Sequence, residues 1–354
     1  MYVDGHLDIA YNVVQCGRDF EAGVAAIRAA EQPPNPHLGT ATVGLPELRR
    51  GGIGLAFATL FTMPVSAVGT DLSYERAYRT PAEAHTYAVA QLAYYRDLEA
   101  RGLARLIRTQ RDLVAHRAAW AAGDVPLGLV VLMENGDPIV EPAEAPWWAA
   151  QGVRIVGPAW QATRYCGGSK QPGPLTDLGR ALLPALAQAG IILDLSHMAE
   201  ESFWEALALY QGPVIASHSN CRALAPARVA DRHLSDAMLK ALIERDAVIG
   251  TVIFNAFLAA EYQSGDPKAH YGLDILVRHI DRVCQLAGDA RHAAIGSDLD
   301  GGIGREDIPR ELDSLADMPR VAEALGTLGY SDEAIAGIMG ENWLRLLAAA
   351  LPEA

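Results

Sequence analysis

Short apolar segments alternate with longer segments of mixed polarity along most of this chain. Eight of the apolar segments have the length and composition of β-strands. They span residues 2–9, 54–61, 127–133, 154–160, 191–197, 214–218, 247–254 and 293–298. Most are nearly continuous in apolar residues, so we expect strands buried on both faces, as in a parallel sheet.

The segments that separate these strands have helical periodicity. They lie at 82–101, 142–150, 177–189, 199–209, 235–245 and 271–287. Thr176 and Ser235, each followed by Asp, are typical helix starts. Eight strands separated by helices predict an α/β fold, a (β/α)8 TIM barrel, as one domain over residues 1–354. A doubly wound sheet is the alternative, which is disfavoured because no glycine-rich phosphate loop follows the first strand.

Three further helical segments end the chain. They lie near residues 316–327, 331–338 and 341–350. Because they follow the eighth strand, we expect them to cap the barrel, over about residues 316–354.

Composition and charge exclude several classes of protein. Half of the 354 residues are apolar and 20% are charged, which is enough for a large core. The net charge of −14, without basic clusters, argues against nucleic-acid or anionic-membrane partners. The sequence has no apolar run long enough to span a membrane, and it does not start with the basic segment and apolar stretch of a secretory signal. Its four cysteines are scattered along the chain. We therefore expect a cytoplasmic protein in a reducing compartment.

Five predicted strands end in polar or charged side chains. A barrel gathers the carboxyl ends of its strands at one face, where active sites lie. Any one of these residues alone would be explained as a polar cap or an ion-pair partner, but five such strand ends together indicate a shared site. The residues are His6 and Asp8, then Glu134, His197, His218 and Asp298.

This set of side chains has the chemistry of a two-metal site. Imidazole and carboxylate ligands suit zinc and similar divalent ions, although Mn, Fe and Co remain open. The two later histidines and the His6-x-Asp8 pair would hold two ions about 3.5–4 Å apart, with Glu134 as the bridge. Asp298 is then left beside the activated water, where it would act as a general base. The sequence thus predicts a metal-dependent hydrolase.

Seven motifs resemble one known family, the renal (membrane) dipeptidase family of zinc peptidases. They are DGHLD at 4–8, LPELRRGGIG at 45–54, LTDLGR at 175–180, ILDLSH at 192–197, SHSN at 217–220, GSDLDG at 296–301 and GENWLR at 340–345. The resemblance implies a binuclear-metal barrel that hydrolyses small dipeptides, often with a D-residue on the C-terminal side. It implies two zinc ions, one on His6 and Asp8 and the other on His197 and His218, with Glu134 bridging.

The resemblance also implies roles for residues around the metals. Asp298 would match the family's acid at the last strand. Arg232 would match the arginine that grips the substrate carboxylate, with Arg228 as the alternative. Asn255 agrees with the family after the seventh strand, whereas Phe257 stands where a tyrosine is common.

One position departs from the family pattern. Members usually carry a histidine just after the fourth strand, which polarises the scissile carbonyl, and here that position is Trp160. Gln161, Arg164 and Tyr165 are the nearby donors that would replace it. The metal site thus matches the family while the substrate pocket is altered.

Three functions therefore stay open. The first is a metal-dependent dipeptidase. The second is the same chemistry on a non-peptide amide, lactone or ester. The third is a silent metal-bound binding module, for which a missing ligand would be the sign, and none is missing. A homodimer also stays open.

Overall fold

The computed structural model describes residues 1–68, 77–123, 125–225, 231–263 and 265–353. The strands are β1 (Tyr2–Leu7), β2 (Ile53–Phe61), β3 (Ala104–Leu106), β4 (Leu127–Glu134), β5 (Val153–Gly157), β6 (Cys166–Gly168), β7 (Gln171–Leu175), β8 (Ile192–Asp194), β9 (Val214–Ile215), β10 (Ile249–Thr251) and β11 (Ala293–Ile295).

The helices alternate with these strands. They are α1 (Ile9–Val14), α2 (Val24–Ala30), α3 (Leu45–Arg50), α4 (Val65–Val68), α5 (Pro81–Ala100), α6 (Gln110–Ala122), α7 (Ala145–Ala150), α8 (Asp177–Gln188), α9 (Glu200–Leu209), α10 (Asp236–Glu244), α11 (Asn255–Leu258), α12 (Leu273–Ala287), α13 (Pro319–Leu328), α14 (Asp332–Ala336) and α15 (Asn342–Ala350). Short 3-10 turns lie at Pro142–Glu144, Lys268–His270, Arg305–Asp307 and Leu315–Asp317, and a π-helical turn at Gly337–Glu341.

Parallel pairing joins eight strands into a curled sheet. Strands β1, β2, β4, β5, β8 and β9 are neighbours in that order. A parallel bridge from Ala216 to Ile249 continues to β10, which pairs with β11. The Asp298 amide then donates to the His6 carbonyl at 3.2 Å, which links the end of β11 back to β1. These are the eight predicted strands, so the predicted (β/α)8 fold is confirmed.

The alternation of side chains along each strand builds two cores. On β2, Leu55 and Phe57 pack inside the barrel, whereas Ala56 and Ala58 face the surrounding helices. The C-terminal helix α15 closes the amino-terminal end of the barrel. Its Trp343 ring lies 4.8 Å from the Phe57 ring, centroid to centroid. Helix α15 thus caps one end of the barrel, while the single-domain assignment of residues 1–354, with a cap over about residues 316–354, stays a prediction.

Some elements differ from the sequence prediction. Strand β3 pairs with the first residues of β4, and β5 pairs with the residues of β4 that follow them. Strand β3 was not predicted, because its three residues, with Arg105 in the centre, form no apolar run. An antiparallel hairpin of β6 and β7 follows β5. The predicted helix starts are confirmed, since the Thr176 and Ser235 side chains accept hydrogen bonds from the amides of Gly179 and Met238 at 3.0 and 3.3 Å.

Among the described residues, no helix has the length and apolar character needed to cross a membrane.

Candidate metal centre and active-site cavity

Three imidazoles converge on one carboxylate at the carboxyl ends of the strands. The Nε2 atom of His6 lies 3.4 Å from Glu134 Oε2. On the other oxygen, Oε1, the Nε2 atoms of His197 and His218 lie at 3.2 and 3.5 Å. The two histidine Nε2 atoms are 2.9 Å apart. Glu134 therefore presents one oxygen to each of two ligand groups, as a bridging carboxylate must.

The two aspartates complete the cluster. Asp8 Oδ1 and Asp298 Oδ1 lie 3.9 and 3.8 Å from His6 Nε2. Three sets of ligand atoms each fall within 4.8 Å of one another. The sets are His6 with Asp8 and Glu134, Glu134 with His197 and His218, and His6 with His218 and Asp298. The five predicted metal ligands and the predicted base Asp298 thus come together.

Burial makes this cluster suited to a divalent cation. Desolvation raises the pKa of Glu134 to about 8, and desolvation with the nearby Glu134 charge raises that of Asp8 to about 6. Desolvation likewise lowers the pKa of His197 and His218 well below their usual range. The buried Nε2 atom of His6 has no hydrogen-bond partner in the described structure. Burial thus already favours the neutral imidazoles that bind metals, and a cation at this point would favour the ionised carboxylates that burial alone opposes, so the residues fit a metal.

The backbone aims these side chains by sharp turns at the strand ends. His197 and Asp298 have positive φ angles of 64° and 60°, a conformation that is uncommon for residues other than glycine. The predicted convergence of His6 and Asp8 is present, but simple strand alternation is not its cause. The pairing register of β1 shifts between Asp4 and Leu7, and Asp8 is already the N-cap of α1. Uncommon backbone conformations such as the positive φ angles of His197 and Asp298 are concentrated at functional sites.

A serine hydroxyl holds two of the imidazoles from behind. Ser217 Oγ lies 2.7 Å from His218 Nδ1 and 3.4 Å from His6 Nδ1. The hydroxyl donates its proton to the Asp194 carboxylate, which also accepts the Ser217 amide at 2.9 Å. Since that proton is engaged, Oγ accepts from the Nδ1–H groups. The Nε2 lone pairs are thereby left to face Glu134.

Two glycines make room for Ser217. A Cβ atom at Gly250 or Gly296 would lie 2.0 or 1.8 Å from the Ser217 carbonyl oxygen. Any larger residue at these positions would push the serine away from the imidazoles. The close approach of three strand ends therefore depends on glycine here.

Similar contacts support the remaining ligands. The Asp4 carboxylate accepts from the Ser297 amide at 2.8 Å and from its hydroxyl at 2.5 Å, which fixes the residue before Asp298. Ser169 Oγ lies 2.9 Å from His197 Nδ1. The sequence alone did not predict these supporting residues. The one available signal was that a serine directly precedes His197, His218 and Asp298.

A cavity of about 340 Å³ lies over the cluster, with Glu134, His197 and Asp298 in its lining. Arg232 also lines it, although the residue is only 2% exposed. One of its nitrogens, Nη1, donates to the His218 carbonyl at 2.8 Å. The buried Nε and Nη2 atoms have no hydrogen-bond partner in the described ranges. Arg232 therefore has donors to offer a ligand.

The other predicted substrate residues have different positions. Trp160 and Gln161 line the cavity. Asn255 is buried at the start of α11 and is absent from the cavity lining, with both amide atoms unpartnered in the described structure. Arg228 falls in residues 226–230, outside the described residues.

Two of the predicted donors are absent from the cavity lining. The Tyr165 hydroxyl donates to the Ile139 carbonyl and is fully buried. Arg164 Nη2 donates to the carbonyls of Ile139 and Val140, both at 3.0 Å. Both side chains thus support the segment after β4, and the structure does not bring them to the cavity as replacements for the histidine. Lys170, at the tip of the β6–β7 hairpin, lines the cavity instead and was not predicted.

Comparison with known proteins identifies the family of this chain. The model of the membrane dipeptidase family, peptidase family M19, matches residues 1–352. This chain is 35% identical over 207 residues to an uncharacterized protein in the pqqA 5' region of Klebsiella pneumoniae, covering 56% of this chain and 72% of that one. Three further curated relatives are matched over 39% to 53% of their own lengths.

Two solved structures have the same fold. One is a metallo peptidase from Rhodobacter sphaeroides liganded with a phosphinate mimic of L-Ala-D-Ala, with a TM-score of 0.79, 24% identity and 99% coverage of both chains. The other is the probable dipeptidase PvdM from Pseudomonas aeruginosa, with a TM-score of 0.80, 21% identity and coverage of 100% and 96%. The chain therefore belongs to the membrane dipeptidase family, peptidase family M19, whose enzyme class is the predicted metal-dependent dipeptidase.

Proposed function

We propose that this protein is a dipeptidase with two divalent metal ions. The observation that carries the proposal is the arrangement around Glu134, whose two oxygens face His6 on one side and the pair His197 and His218 on the other. His6, Asp8 and Glu134 would hold one ion, and Glu134, His197 and His218 the other. Such ions supply Lewis-acid chemistry, polarising a carbonyl and lowering the pKa of water.

The chain's own residues bind the substrate and move the proton. Arg232 has two unpartnered donors, which suit the planar carboxylate at the end of a dipeptide. Asp298 lies on the cavity wall between the ligand sets. It would accept the proton of the attacking water and deliver it to the leaving amine. The hydrophobic side chains of the cavity would limit the access of bulk water to this step.

A second candidate keeps the metals and changes the substrate to a non-peptide amide, a lactone or an ester. It is favoured by Trp160, which lines the cavity where the family has a histidine. The silent binding module has no such support, since all five ligands converge. A panel of substrates under identical metal loading distinguishes the two enzymatic candidates.

Four finer points belong to the same proposal. Zinc is the proposed metal, because imidazole and carboxylate ligands suit it. A D-residue on the C-terminal side is proposed because the Rhodobacter sphaeroides peptidase was solved with a mimic of L-Ala-D-Ala. The cytoplasmic location and the homodimer are proposed from the sequence alone.

The test is hydrolysis by metal-free protein and by protein reloaded with Zn²⁺, Mn²⁺ or Co²⁺. The panel contains L-Ala-L-Ala, L-Ala-D-Ala, an N-acyl amide and a lactone. We expect hydrolysis of dipeptides only after reloading. Hydrolysis of the lactone alone would favour the second candidate, and a lack of any hydrolysis at full metal occupancy would contradict both.

A further inference from the structure

One side of the cavity is built from three aromatic rings in contact. The ring centroids of Tyr11 and Phe61 are 5.0 Å apart, and those of Phe61 and Trp160 are 5.1 Å apart, both in edge-to-face geometry. Leu38 and Met63 pack against the same group. All five residues line the cavity. We call Tyr11, Phe61 and Trp160 the aromatic wall.

The aromatic wall borders the metal ligands and comes from the ends of β1, β2 and β5, whereas Arg232 follows β9, across the mouth of the barrel in the strand order. Tyr11 follows Asp8 by three residues on α1, and the Trp160 ring lies 6.5 Å from the His197 ring. Arg232, in contrast, is anchored on the His218 carbonyl. A ligand whose carboxylate is held by Arg232 and whose carbonyl lies over the cluster therefore extends its other end towards the wall.

A second aromatic pair is already engaged. The Arg232 guanidinium carbon lies 5.0 Å from the Phe257 ring centroid, and His233 meets the same ring edge-to-face at 5.2 Å. Phe254 packs on Phe257 at 4.9 Å. These rings hold the cation in place, so their role is to position Arg232. The aromatic wall, in contrast, offers three rings beside the metal ligands to an apolar group of the substrate.

We propose that the preferred substrate carries an aromatic ring on the acyl side of the scissile amide, which packs against Trp160 and Phe61. This inference rests on the proposed function, because that function places the carboxylate at Arg232. Trp160 is half-buried, so a flat apolar partner would remove much of the remaining indole surface from water. A small acyl group would leave the rings facing water, and a charged one would be desolvated beside them.

The kinetic test compares dipeptides that differ only in where the ring lies. With Zn²⁺-loaded protein, we expect kcat/KM for L-Phe-D-Ala to exceed that for L-Ala-D-Ala by about tenfold, and L-Ala-D-Phe to gain nothing. In Trp160→Ala and Trp160→His, the preference should disappear, mainly through KM. The control is Trp147→Ala, which removes an exposed indole outside the cavity lining. Equal kcat/KM for L-Phe-D-Ala and L-Ala-D-Ala in the wild type would overturn the inference.

A binding test separates this inference from the proposed function. Calorimetric titration of the Zn²⁺-loaded protein compares N-benzoylglycine with N-acetylglycine, which share a carboxylate and differ in the ring. We expect about tenfold tighter binding of the benzoyl compound, lost in Trp160→Ala and largely kept in Trp160→Phe. If no dipeptide is hydrolysed but this difference holds, the proposed activity fails and the aromatic site stands. If dipeptides are hydrolysed and the two ligands bind equally, the aromatic site is wrong.

Discussion

Removing the Ser217 hydroxyl should weaken metal binding without changing any metal ligand. In Ser217→Ala, His218 Nδ1 loses a partner at 2.7 Å and His6 Nδ1 loses one at 3.4 Å. The imidazoles then lose the contact that fixes their tautomer and orientation. Loss of such a supporting contact typically weakens metal affinity 10–100-fold, which corresponds to about 1.4–2.7 kcal/mol.

The same change also affects folding, which the design must separate. The Asp194 oxygen that accepts the Ser217 hydroxyl would be left buried and unpaired, at a cost of about 1–3 kcal/mol. Ser202→Ala is the matched control. Its buried hydroxyl donates to the Gly173 carbonyl at 2.7 Å and contacts no predicted ligand.

The assay titrates metal-free protein with Zn²⁺ against a chelating indicator, and denaturant unfolding gives stability. We expect Ser217→Ala to lose both affinity and stability, and Ser202→Ala to lose stability alone. Asp194→Asn should fall between the wild type and Ser217→Ala in affinity, since the amide retains only part of the acceptor capacity. Wild-type Zn²⁺ affinity in Ser217→Ala would refute the reasoning.

Three more predictions follow from the site and its surroundings. Asp298→Asn should keep most of the bound metal while kcat falls by about 10²–10⁴, and an unchanged kcat would remove this residue from proton transfer. Arg232→Ala should weaken the binding of free dipeptides by about 1.5–3 kcal/mol and the binding of their C-terminal amides far less. Equal losses of binding for both would show that the arginine has a structural role. Burial lowers the pKa of His279 from 6.5 to about 4, so between these pH values only the unfolded chain gains the proton. The contribution of His279 to stability should therefore fall by about 3 kcal/mol from pH 6.5 to 4, so denaturation of His279→Gln should show a shallower fall than that of the wild type.

The strands and the metal ligands could be predicted because each leaves a strong local signal. A buried parallel strand is a continuous apolar run, and a charged residue at its end has few structural explanations. Glu134 is such a residue, at the end of eight buried positions in β4. Strand β3 is three residues long and partly exposed, so it leaves no comparable run.

The surroundings of the ligands were harder to predict, because nearness in sequence does not determine the direction in which a side chain points. Arg164 and Tyr165 follow Trp160 closely, yet the turn after β5 directs them to backbone carbonyls. Ser217 was missed because serine is common in turns and its role depends on Asp194, which lies on another strand. Lys170 reaches the cavity through a hairpin that its glycine- and proline-rich sequence marks only as a turn.

The central claim is that two ions bound around Glu134 are needed for dipeptide hydrolysis. The most direct test adds Zn²⁺ in steps to metal-free protein while bound metal per chain and L-Ala-D-Ala hydrolysis are measured in the same samples. We expect activity to rise to its maximum at two ions per chain, and Glu134→Gln to lose occupancy at both positions and activity together. Full activity in the metal-free protein would contradict the account. So would full activity at one ion per chain together with an unimpaired Glu134→Gln variant.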